Sequence, residues 1–128
     1  MGMEYDRFIE EVKNLEFIPN RDTADAAVKA VLGILASRLE EAEAQKLVEK
    51  LPGPLTLERL RGHQVRPEKI SVEEYIIEIA QQFRIAGDQA ETLIKTVLHL
   101  AKDLLGDETM SELEHALPSD WKATIESA

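Results

Sequence analysis

A helix end that occurs twice, 66 positions apart, constrains this chain more than any other feature. It reads Leu47-Val48-Glu49-Lys50-Leu51-Pro52, and again Leu113-Glu114-His115-Ala116-Leu117-Pro118. Proline cannot continue a helix and pushes the residue before it out of the α region. Each copy is therefore a helix with a defined stop. Three residues past each proline stands a large apolar residue, Leu55 and Trp121.

The similarity extends upstream. Between 17–52 and 83–118, ten of thirty-six aligned residues are identical, where chance would give roughly two or three, and this marks an internal repeat of helical units. Phe17/Phe83, Asp22/Asp88, Ala24/Ala90, Val31/Val97, Leu32/Leu98, Leu39/Leu105 and Leu47/Leu113 are among the pairs. With the offset raised by one, Phe8/Tyr75, Ile9/Ile76, Glu11/Glu78 and Val12/Ile79 also match, so a one-residue difference lies in the first interhelical loop. Most matched positions are apolar, caps or the stopping proline. The only polar matches apart from caps are Lys29/Lys95 and Glu11/Glu78.

Apolar periodicity predicts the helices. Tyr5, Phe8, Ile9, Val12 and Leu15 form one stripe over 4–15. Asp22 is the expected N-cap of a second helix over 23–39, whose broad apolar face includes Ala27, Val31, Leu32 and Leu35. Gly33, inside that helix, costs about 1 kcal/mol relative to Ala and implies a close crossing. A third helix opens on Glu40, Glu41 and Glu43 and stops at Pro52, and a short helical turn is expected over 55–61. Ser71 and Glu74 spell a capping box before the next helix. Gly87 and Asp88 repeat the break and cap, Gly106 ends the helix that follows, and Asp107 caps the last arm before Pro118.

The expected fold is all-α: an internally duplicated helical bundle, two three-helix-plus-short-helix repeats packed with pseudo-twofold symmetry. Residues 1–128 make a single domain, with repeat one at 4–61, a connector at 62–70 and repeat two at 71–127. A three-helix unit of about 50 residues has a marginal core of its own, so the halves are expected to share one.

At this point the chain resembles a known family, domain of unknown function 2267. The resemblance rests on Tyr5-Asp6-Arg7-Phe8-Ile9, on Ala27-Val28-Lys29-Ala30-Val31-Leu32, on the Leu51-Pro52 helix end, and on the second copy from Ser71 to Trp121. It covers nearly the whole chain. It implies a compact duplicated helical domain and carries no catalytic residues.

Composition narrows function by exclusion. With no cysteine there is no disulfide, thiolate zinc site or cysteine nucleophile, which suits a cytoplasmic location. No apolar run is long enough to span a bilayer, and Met1-Gly2-Met3-Glu4 lacks the pattern of a signal peptide. The charge of −10 repels phosphate backbones and anionic lipid, so neither nucleic acid nor membrane is an expected partner.

Few polar groups suggest a site. Arg59, Arg61, His63, Arg66 and Lys69 gather in and before the connector, giving 58–69 a charge of +2 on an acidic body. Arginine forks there could hold an anion or an acidic partner surface; the plainer reading is pairing with the protein's own acids. Trp121 could be an exposed interface anchor, but its register with Leu55 favours packing. His99 with Asp103, and Glu112 with His115, have helical spacing for shared metal binding. Their counterparts Gly33, Ser37, Lys46 and Glu49 supply no matching second set, so no metal and no cofactor is expected. The serines lack the strained turn of a nucleophile elbow, and no glycine-rich phosphate loop is present. The sequence therefore points to a non-catalytic module that binds another protein or forms a homo-oligomer. The alternative is a small-ligand or anion-binding protein using the basic connector.

Overall fold

In the computed structural model, residues 3–52, 55, 56, 58, 60 and 70–128 are described. They form six helices: α1 (Met3–Lys13), α2 (Arg21–Arg38), α3 (Glu41–Glu49), α4 (Val72–Phe83), α5 (Gly87–His115) and α6 (Ser119–Ser127). Glu58 and Leu60 are also helical, with Leu60 N–H donating to the Thr56 carbonyl at 2.9 Å. No strand occurs among the described residues, and the all-helical expectation holds.

Helix starts differ from the sequence expectation by one or two residues. α2 is capped by Asn20, not Asp22: the Asn20 side chain accepts from Thr23 N–H at 2.8 Å. Asp22 instead lies in the first turn, where a negative charge favours the helix dipole. α5 begins after Ala86, whose N–H donates to the Gln89 side chain at 2.9 Å; Asp88 is already helical. The Ser71–Glu74 capping box is formed in both directions.

α5 is broken at Gly106, where φ is 82° and ψ 164°. Glycine takes that conformation without the Cβ clash that other residues meet. The break makes two arms, 87–105 and 107–115. Forty positions along from the chain start, Glu40 has ψ of 168° between α2 and α3, at the place that stands 66 residues before Gly106.

One contiguous apolar cluster draws on every helix. α1 packs on α2 and reaches across to α5, while α4 packs on α5 and reaches back to α2. Phe8, Ile9 and Val12 of α1 are essentially fully buried, as are Tyr75 and Ile79 of α4. Each such side chain contributes about 1.5–3 kcal/mol by leaving water. Burial also follows the 66-residue offset: Ala24 and Ala90, Ala27 and Leu93, Val28 and Ile94, Val31 and Val97, Leu32 and Leu98, and Leu47 and Leu113 are all buried.

α2 is covered more completely than α5. Ala30, Gly33 and Ala36 are buried, whereas the positions 66 later, Thr96, His99 and Lys102, are half-buried or exposed. The close crossing implied by Gly33 is made by Leu60. A Cβ on Gly33 would stand 2.7 Å from the Leu60 carbonyl oxygen.

Tyr75 ties α4 to α2. Its buried hydroxyl donates to the Val31 carbonyl at 2.7 Å, and burial raises the phenol well above its ordinary value. Ionisation in the unfolded chain begins near pH 10, while the folded phenol stays neutral. Stability from this group is thus fully present below about pH 10 and is lost as pH rises further. The Tyr75 contribution to melting temperature should hold to about pH 10 and fall above it, and Tyr75→Phe should flatten that fall. At neutral pH the same variant should lose about 1 kcal/mol in denaturant unfolding.

Candidate functional site

The basic connector residues Arg59, Arg61, His63, Arg66 and Lys69 lie outside the described residues. The described flanks are held firmly. On one side Leu60 is fully buried against Gly33. On the other, the Ile70 carbonyl accepts from Arg38 Nε at 3.1 Å and from Trp121 Nε1 at 2.9 Å. Val72 N–H then donates to Asp120 Oδ2 at 3.0 Å. α2 and α6 therefore grip the chain where it enters α4. Arg38 and Asp120 had no sequence signal for this role, because it depends on a tertiary approach.

Trp121 is 0% exposed, so it offers no surface to a partner, and the interface-anchor reading gives way to packing. Its ring stacks on Tyr75, with centroids 4.7 Å apart and planes 20° apart. Trp121 and Ile125 form the buried face of α6, and the far end of that helix is closed by Lys102, whose Nζ donates to the Ile125 and Ala128 carbonyls. A cation there satisfies carbonyls that a helix C-terminus otherwise leaves open.

An open cleft between α1 and α5 is lined by Glu11, Thr92, Lys95, Thr96, His99 and Leu100. Its polar groups are largely engaged within α5. Thr92 Oγ1 donates to the Asp88 carbonyl, Thr96 Oγ1 to the Thr92 carbonyl, and Lys95 pairs with Glu91 at 3.5 Å. Lys29 pairs with Asp25 at 3.0 Å in the same i,i+4 manner. Each of the two lysines thus pairs with an acid four residues before it. Tyr5 also donates to Asp25.

In both helical His/acid pairs the acid faces a cation on another helix. Asp103 faces Arg7 of α1 at 3.4 Å. Glu112 is taken by Lys46 of α3 at 2.6 Å, and His115 Nδ1 lies 2.8 Å from the Ser111 carbonyl. Among the described residues no three His, Asp or Glu side chains gather for a metal ion.

Lys46 of α3 and Glu112 of α5 stand 66 residues apart in the sequence and meet in the fold. Their hydrogen bond raises the Lys46 ammonium above its ordinary value. Reversing either charge alone should lower the melting temperature at low salt. Reversing both together, Lys46→Glu with Glu112→Lys, should restore most of the loss; equal losses in single and double variants would show that the pair is not coupled.

The described surface is charged. Among its large apolar side chains only Ile77 is exposed, at 48%, which is an isolated residue rather than a patch. No described helix is long and apolar enough to cross a membrane. A family model described as "Uncharacterized conserved protein (DUF2267)" matches residues 5–124, nearly the whole chain. No curated protein and no solved structure matches.

Proposed function

The chain belongs to the DUF2267 family, and from that premise we propose that it is a non-catalytic helical module that binds another protein, or a second copy of itself, through charged contacts. The observation that carries this reading is the character of the described surface: its exposed residues are mostly charged or polar, with Ile77 the one large apolar residue exposed. A partner meeting it would make polar and ionic contacts. The reading assumes the reducing cytoplasm that a chain without cysteine suits.

In this reading the module is an internal duplication whose halves pack about a pseudo-twofold axis. Support comes from three sides. Helix bounds recur at the 66-residue offset: α3 is Glu41–Glu49, and the second arm of α5 is 107–115. Burial recurs at the same offset. Finally, Lys46 meets Glu112, and near a twofold axis a residue faces its own counterpart.

Sedimentation velocity over a wide concentration range, at low and high salt, tests the self-association branch. The expected result is association that weakens as salt rises, because exposed charges are screened beyond about 8 Å at physiological ionic strength. A monomer under every condition would remove self-association and leave a different protein as the partner. Association that strengthens with salt would show that screened repulsion between two chains of charge −10, or apolar contact, governs it rather than charge pairing, and would overturn the reading.

A second reading is an anion site at Arg59, Arg61, His63, Arg66 and Lys69. The flanks favour it: Leu60 and Ile70 are both secured to the body, and this would limit the entropy lost when a ligand orders the segment between them. A thermal-shift screen with inorganic phosphate, nucleotides and acidic polymers tests it. A ligand at 100 times its Kd stabilises by about 2.7 kcal/mol. Stabilisation abolished by Arg61→Ala or Arg66→Ala would support the site, and no stabilisation across the panel would sink it.

A further inference from the structure

We draw no further inference here: the strongest candidate, the open polar cleft between α1 and α5 at Glu11, Lys95 and His99, carries nothing because its threonines and lysine already bond within α5 and nothing in the structure shows what covers it.

Discussion

Trp121→Ala should cost about 3–5 kcal/mol, the range for truncating a fully buried tryptophan. Three losses combine. The ring leaves a large cavity in the core, since Trp121 is fully buried. The stack on Tyr75 at 4.7 Å disappears, itself worth about 0.5–1.5 kcal/mol. The Nε1 donor to Ile70 is also removed, although Arg38 still reaches that carbonyl. Against a typical total of about 5–15 kcal/mol, the variant should be close to unfolding at physiological temperature. Trp121→Phe keeps most of the packing and should cost clearly less. Urea unfolding followed by circular dichroism measures both. If the alanine variant matched the parent, Trp121 would not be a core residue at all.

Gly33→Ala is the second large effect, and its sign is the point of interest. In an exposed helix the change would gain about 1 kcal/mol. Here the added Cβ meets the Leu60 carbonyl oxygen at 2.7 Å, and a backbone atom cannot rotate away. Overpacking of this kind costs about 1–3 kcal/mol, so the net effect should be destabilising. Gly87→Ala is the natural control, because a Cβ there meets nothing within 4 Å. Thermal unfolding should rank Gly87→Ala at or above the parent and Gly33→Ala below it. A stabilised Gly33→Ala would mean that Leu60 does not cross α2 at this contact.

Gly33 also shows what the sequence could and could not reveal. A glycine inside an otherwise apolar helix signals a close neighbour, because its cost must be offset by something. Which neighbour it is depends on how the segment after Pro52 folds back, and no periodicity records that. The helices themselves were legible from their apolar stripes and from prolines that cannot continue a helix. Gly106 was legible for the same reason: only glycine takes φ of 82° at no steric cost.

Caps were less legible. Asp22 and Asn20 are both good cap residues, and the choice between them is made by the loop geometry that brings Asn20 onto Thr23. At the start of α5, Gln89 reaches back to Ala86, so half of a capping box operates without a capping side chain. Lys46 and Glu112 were visible as counterparts but looked like a mismatch, because a metal site needs like residues in both copies. Their opposite charges instead make an ion pair between α3 and α5. The connector residues show the limit on the functional side. Their charge is plain in the sequence, while a partner's chemistry is not encoded in charge alone.

One apolar core joins the first and second halves of the chain. Trp121, the only tryptophan, reports on the second half, while helical circular dichroism reports on both. Equilibrium urea unfolding should therefore be followed by both signals in one sample. The account predicts a single transition with coincident midpoints and slopes, because the apolar cluster draws on every helix. A tryptophan transition displaced from the circular dichroism curve, or a curve with two steps, would show two units unfolding separately and would contradict it.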